Sequence, residues 1–421
     1  MPITFGRFSD SFKSKAKINY WNECEKLFQE KKYFESYEAF LNYLKDDEIN
    51  NVKFTKNGER IDFELPQGSK VISGFIGDGK IIAEADIAEY EKLSVAFMRR
   101  LMELNYTLFY TRFALKDSKI CIKFDSSIAD GPPRKLYYAW KELATRADKQ
   151  DDLLLEDFAM LKSIGNANIE QLPEIEKEVK YKYYKKWLEE TLKRVAELNE
   201  DSLSGGISYL LLNTTYKIDY LSAPEGTLMN ELEKMSWQYF AKDNKPFVEK
   251  NRNIKESLQK LLEKPKDEVL KDFYRVSSTF GIANPAPHQT VVELFNNNIN
   301  NVKWYTDNNY NDIAIVIYEY LATYSLFSYG LPKPDAKLFH LMINIIEQLF
   351  FNELGFSEVY YDNSNNKFNE QLIKDKVSEI IKEGQEQYPE LKFNSANLKF
   401  DSLVNFLRTY IAEIQQLNFN N

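Results

Sequence analysis

Cys24 and Cys121 are the only cysteines in the 421 residues, far apart and outside any C-x-x-C spacing. That excludes a disulfide framework and a cysteine-based zinc site, and leaves two reduced side chains in packed positions as the expectation. Histidine is as scarce: His288 and His340 stand alone and form no HExxH-type motif. No metal and no cofactor is expected. Positive charge is in the minority, with 55 Lys and Arg against 64 Asp and Glu and a formal net charge of -9. Nucleic-acid binders present a basic footprint instead, so no nucleic-acid partner is expected. Long apolar runs are missing too. The most apolar stretch, Ile313 to Gly330, is interrupted by Glu319 and several tyrosines, and lacks the run of about 20 lipid-compatible residues that a span requires. It reads as a central helix of a C-terminal core. The opening MPITFGRFSDSFKSKAK has no apolar centre of the kind a secretory signal uses. A cytoplasmic location without a membrane span is the expectation.

The chain is rich in aromatic mass, with 29 Phe and 27 Tyr within a 43% hydrophobic composition. That is the make-up of a globular protein, and the length calls for two or three domains. Residues 18 to 47 read as two antiparallel helices. Tyr20, Cys24, Leu27, Ser36, Phe40 and Tyr43 fall on a tetratricopeptide-like pattern once Tyr33 is set at the turn. Only one such unit is visible, and one repeat cannot bury its own face, so the pair must dock on the domain C-terminal to it.

From residue 51 the period changes to two. Val52 and Phe54, then Ile61, Phe63 and Leu65, alternate with polar neighbours around Asn57-Gly58, a hairpin signal for a type I′ turn. A second hairpin turns at Asp78-Gly79, and residues 88 to 104 place Leu93, Phe97, Leu101 and Leu104 on one helical stripe. Two further strands, YTLFYTRFAL and SKICIKFDSSI, are joined at Lys116-Asp117. Asp130-Gly131-Pro132-Pro133 then starts a helix carrying Leu136, Trp140 and Leu143. Antiparallel strands with helices on one face make an α+β layer structure. After about residue 165 strand signals almost vanish. A long amphipathic helix contains Val179, Tyr183, Trp187 and Val195. Further helical patterns cover 206–221, 225–242, 245–263, 266–278, 287–300, 310–329, 334–354, 367–384 and 399–417. Asn296 to Asn301 and Tyr361 to Asn366 read as Asn-rich loops. The predicted organisation is a helical hairpin at 1–48, an α+β domain at 49–165 and an irregular all-α domain at 166–421.

The run LMELNYTLFYTRFALKDSKICIKFDSSIADGPPRKLYYAWKELATRADKQDDLL resembles the second half of a YbjN-type domain. The matching features are the helix leading into Asn105-Tyr106, the Arg112-Phe113-Ala114-Leu115 strand end, the charged turn, the Ile120-to-Ile128 strand and the aromatic-rich helix from Pro133. The resemblance covers about residues 50 to 155, and the added hairpin at Asn57-Gly58 departs from the pattern. It implies the fold of type III secretion chaperones and a non-catalytic module that binds a protein segment, often as a homodimer.

Few positions suggest a site. On the strand 106–115, Tyr106, Leu108, Tyr110, Arg112 and Ala114 share one face, with Thr107, Phe109, Thr111, Phe113 and Leu115 on the other. Tyr106, Tyr110 and Arg112 are then a partner-binding patch, unless the helical half covers them. Gly74-x-x-Gly77-Asp78-Gly79 leads into a strand rather than a helix, which makes it a turn and not a phosphate loop. Lys180 to Trp187 mixes lysines with aromatics, but neighbouring glutamates cancel the field and the aromatics fall on one helical side. Asp151-Asp152 reads as a solvated helix end. His288, at a loop-to-helix junction with Asn284 and Thr290 available as caps, is the one place to examine for acid–base chemistry. His340 lies on a packed stripe, and no catalytic residue is assigned. The functional expectation is a chaperone- or adaptor-like module that holds a protein partner or mediates assembly. The alternatives are an enzyme with a site near His288, or a structural subunit of a larger complex.

Overall fold

The computed structural model describes residues 3–46, 48–164 and 168–420. It is 57% helical and 14% strand, with an antiparallel seven-stranded sheet in the N-terminal half and a helical C-terminal half. Contacts group the chain into two units. One holds residues 13–171 and 274–282, the other residues 3–12, 172–273 and 283–420.

The first unit opens with helices α1 (Lys15–Gln29) and α2 (Tyr33–Leu44). Cys24 and Ser36 are fully buried where these helices meet, and the Ser36 hydroxyl donates to the Cys24 carbonyl at 2.7 Å. Small side chains permit that approach. The strands are β1 (Lys53–Lys56), β2 (Ile61–Gln67), β3 (Lys70–Gly77), β4 (Lys80–Tyr90), β5 (Arg112–Lys116), β6 (Lys119–Ser127) and β7 (Leu161–Ser163). Helix α3 (Val95–Tyr106) lies between β4 and β5, and α4 (Pro133–Asp157) comes after β6. The sheet order is β1-β2-β3-β4-β6-β5, with β7 added to the end of β4. Alternation sends Ile61, Phe63, Ile72, Ile81, Ala83, Ile122 and Phe124 into the core, while Glu64, Glu84, Lys123 and Asp125 face outward. Helix α4 covers the core face, and Trp140 stacks on Phe63 at 4.4 Å between ring centroids. Phe40 of α2 meets Trp140 at 5.5 Å, and the Tyr37 hydroxyl donates to the Ile128 carbonyl at 2.6 Å. The helical hairpin therefore buries its face on α4, as a lone repeat must.

Turn chemistry sets the registers. Asp78 and Gly79 both have positive φ, and so do Asp117 and Ser118, which fits type I′ geometry. The first hairpin differs from expectation. Asn57 and Arg60 hydrogen-bond each other, so the two-residue loop is Gly58-Glu59, with positive φ at Gly58 alone.

The second unit contains α5 (Glu174–Glu197), α6 (Ser204–Ser222), α7 (Gly226–Phe240), α8 (Phe247–Glu263), α9 (Lys266–Lys271), α10 (His288–Asp307), α11 (Asn311–Ser328), α12 (Lys333–Ile346), α13 (Gln348–Glu353), α14 (Glu370–Gly384) and α15 (Leu403–Ile414). Helices α6 and α11 are buried along most of their length and pack on each other at the centre of this unit. Apolar residues spread around their whole circumference are what a central helix requires.

Several local expectations are overturned. Residues 88–90 belong to β4, so the helix expected from 88 begins at Val95. Residues 274–275 form a short strand with 170–171 rather than the end of a helix. Asn296 to Asn301 lie inside α10, because its apolar spacing, with Val291, Phe295 and Val302 buried, outweighs the poor helix propensity of asparagine. Tyr361–Asp362 and Lys367–Phe368 pair around the second Asn-rich stretch. Asp151 is buried rather than solvated, because it pairs with the buried Lys70 at 2.9 Å.

Candidate functional site

The segment expected to be one strand over 106–115 is divided. Tyr106 ends α3, residues 107–111 form a loop, and the strand begins at Arg112. The expected shared face of Tyr106, Tyr110 and Arg112 therefore does not exist as a strand face. The two tyrosines belong instead to a surface made by α3 and the loop after it.

That surface is built on a two-sided helix. Ser94 caps α3 by accepting the Phe97 N–H at 3.1 Å, and Phe97, Leu101 and Leu104 enter the core. The opposite face carries Val95, Met98, Met102 and Tyr106, spaced three, four and four apart. Tyr106 is 93% exposed and Phe109 in the loop 90%, values close to those of an extended chain. The loop backbone is nevertheless fixed. Glu142 of α4 accepts the N–H groups of Phe109 at 2.8 Å, Tyr110 at 3.0 Å and Thr111 at 2.9 Å, and the Thr111 hydroxyl at 2.7 Å. Carboxylate hydrogen bonds of this kind are the stronger class. Asn105 adds a second brace. Its carboxamide accepts the Phe113 N–H at 2.6 Å and donates to the Phe113 carbonyl at 3.2 Å. Asn105 thus occupies both backbone groups of Phe113 on the edge strand, which limits its use as a strand template, while Glu142 occupies the N–H groups of the loop before it. The result is a rigid loop that displays aromatic side chains the core does not use.

Arg112 has a different neighbourhood. It sits opposite Lys123 in the β5–β6 ladder and pairs with Asp125 on the outer sheet face. A shallow basin of about 480 Å³ lies there, bordered by Lys80, Ile82, Arg112, Lys123 and Asp125. Val95, Met98, Met102 and Glu142 are not among the positions singled out by the sequence, and Phe109 falls beside Tyr106 rather than on an opposite face. The available signal was a short helix with apolar residues on both faces.

His288 opens α10, whose first turn has no side-chain cap, so neither Asn284 nor Thr290 serves that role. Nδ1 lies 3.0 Å from both oxygens of the fully buried Asp335. Burial raises the Asp335 carboxyl, and the His288 contact opposes that shift. The ring lies 4.7 Å from that of Phe419, and the buried Nε2 has no hydrogen-bond partner among the described residues. This pair can orient an imidazole, but no described nucleophile is hydrogen-bonded to it. His340 is packed as expected: its Nδ1 and the Tyr220 hydroxyl are 2.9 Å apart, and burial lowers it to about 4.

Helices α6 and α11 also hold a buried charge cluster. Lys217 Nζ lies 2.9 Å from Glu319 and 2.5 Å from Glu347. Asn213 donates to Glu319 at 2.5 Å and the Trp187 indole to Glu347 at 3.0 Å. Burial, with help from Glu347, raises Glu319 to about 7. Burial acts upward on Glu347 as well, but Lys217 holds it below the usual carboxylate value. Among the described residues, no group of three or more His, Cys, Asp or Glu is placed to hold a metal ion. No described helix is long and apolar enough to cross a membrane. Compared with models of protein families and with curated proteins, the sequence matches none.

Proposed function

We propose that this chain is a non-catalytic protein-binding module, chaperone- or adaptor-like, that mediates assembly through α3 and the loop at 107–111. One observation carries the reading: Tyr106, at the end of α3, and Phe109, on a loop whose backbone Glu142 holds, are 93% and 90% exposed. Ordered aromatics that add nothing to the core are the residues from which interface hot spots are made. The resemblance of residues 50–155 to YbjN-type domains supports the same class.

Because Asn105 already occupies backbone groups of the edge strand and Glu142 those of the loop, the partner engages side chains, as an amphipathic helix does in a groove. A second α3 meets that need. Run antiparallel, Val95 faces Tyr106 of the copy, Met98 faces Met102, and the exposed Arg99 approaches Glu103. The proposed filled state of the surface is therefore a homodimer of this geometry.

Sedimentation velocity on the full chain tests it, together with the Met98→Cys and Met102→Cys variants. Both native cysteines are buried and do not interfere. The chain is expected to dimerise, Tyr106→Asp to make it monomeric, and disulfides to form only when the two cysteine variants are mixed. A monomer at every concentration ends the second-copy reading. Capture of another polypeptide by that monomer, lost in Tyr106→Asp, retains the binding module.

A further inference from the structure

Residues 3–12 have no regular secondary structure and belong to the helical unit. Three consecutive residues meet three different chemistries there. The Phe5 ring enters an aromatic box, 5.1 Å from His340, 5.1 Å from Phe351 and 5.9 Å from Phe356. The Gly6 N–H donates to the Tyr220 carbonyl at 2.8 Å. Gly6 has φ +65°, and a Cβ there would lie 2.7 Å from the Tyr220 ring, so glycine is required twice over. The Arg7 guanidinium reaches Asp219 at 3.0 Å and Glu233 at 2.7 Å and lies 4.3 Å over the Phe327 ring. Both carboxylates are more than nine-tenths buried, and they come from different helices, α6 and α7.

We propose that the helical unit is a recognition site for an extended aromatic–glycine–arginine segment. Residues 5–7 fill it in cis, and another polypeptide with the same three side chains takes it in trans when they leave. This site is separate from the α3 surface and does not depend on it. Burying two carboxylates around one guanidinium stabilises little more than apolar packing of the same volume. What such an arrangement does is discriminate, since it rejects any occupant without a cation at that position. The shape around Gly6 rejects any side chain at the next. The cis segment is joined to α1 through residues 8–14, which form no helix or strand although Asp10 among them is buried, and Phe12 is held at φ +51°. Left-handed backbone at a non-glycine residue is a conformation that opening would relax.

The test uses a fluorescent peptide of residues 3–11, ITFGRFSDS, and the full chain. A tethered segment has an effective concentration in the millimolar range, so micromolar peptide is expected to show no binding to the wild-type chain. Gly6→Ala, which blocks the cis segment, is expected to bind it, and Phe5→Ala likewise. Adding Asp219→Asn to Gly6→Ala is expected to weaken binding about 10- to 100-fold, the loss of charge-assisted hydrogen bonds. A peptide carrying Arg7→Gln should lose a similar factor. Hydrogen exchange on the wild-type chain with millimolar peptide gives a readout that needs no variant to fold: the chain's own Gly6 amide should lose protection. The proposal is overturned if folded variants bind no peptide, if Asp219→Asn leaves binding unchanged, or if excess peptide leaves Gly6 protection unchanged.

Discussion

Glu319 and His340 give the helical unit two opposed pH dependences, and separating them is the sharpest test of its interior. Glu319 is 1% exposed, faces Lys217, Glu347 and Asn213, and burial carries its carboxyl from an ordinary 4.5 to about 7. A carboxyl that keeps its proton longer in the folded state favours folding at low pH. That contribution is complete below pH 4.5 and is lost as the pH rises through 7. At about 1.4 kcal/mol for each tenfold change in proton affinity, the loss is about 3 kcal/mol. His340 runs the other way. Burial lowers it from 6.5 to about 4, so its contribution is present above 6.5 and is lost as the pH falls through 4. It too amounts to about 3 kcal/mol. Between pH 4.5 and 6.5 the two nearly cancel in the wild-type chain.

Glu319→Gln removes one arm. The variant should gain about 3 kcal/mol relative to wild type between pH 4.5 and 7.5. His340→Asn should show the reverse slope, with stability declining as the pH rises. Urea unfolding tracked by fluorescence suits the question, because the Trp187 indole donates to Glu347 within the cluster. Glu347 and Lys217 do not confuse the window, since Glu347 is held below 4.5 and Lys217 is raised by its two carboxylates. A difference between wild type and Glu319→Gln that stays constant within about 1 kcal/mol over that range refutes the reasoning.

Glu142→Gln should cost about 1–3 kcal/mol and speed hydrogen exchange at residues 109–111, because the amide can no longer accept all four hydrogen bonds as a carboxylate. Tyr106→Ser and Phe109→Ser should change stability by less than about 0.5 kcal/mol in thermal melts while reducing association, since neither side chain is buried. Arg7→Ala should cost about 3–5 kcal/mol by removing the counter-charge of the buried Asp219, and adding Asp219→Asn should recover part of that in denaturant titrations. Gly68→Ala should destabilise the sheet unit: φ is +54° and the new Cβ would fall 1.7 Å from an Asp148 oxygen.

The sequence by itself determined the order of elements wherever one period dominated. Period-two alternation at 51–86 fixed the meander, because alternate side chains of a strand point to opposite faces. Asp78-Gly79 placed a turn because its backbone needs positive φ at both residues. The stripe Phe97, Leu101 and Leu104 gave the core face of α3, and scarcity of Cys and His removed the common metal motifs. Local pattern failed where local and distant forces compete. YTLFYT has strand composition, yet Tyr106 completes α3 and Glu142, 31 or more residues away, holds the rest as a loop. A carboxylate accepting three consecutive N–H groups outweighs β propensity, and no window of sequence contains both partners. Asp219 and Glu319 read as ordinary polar positions in apolar helices. Only the tertiary structure brings Arg7 to one and Lys217 to the other, across 212 and about 100 residues. Which charges are buried is decided by long-range packing, because a buried charge persists only where its counter-charge arrives with it.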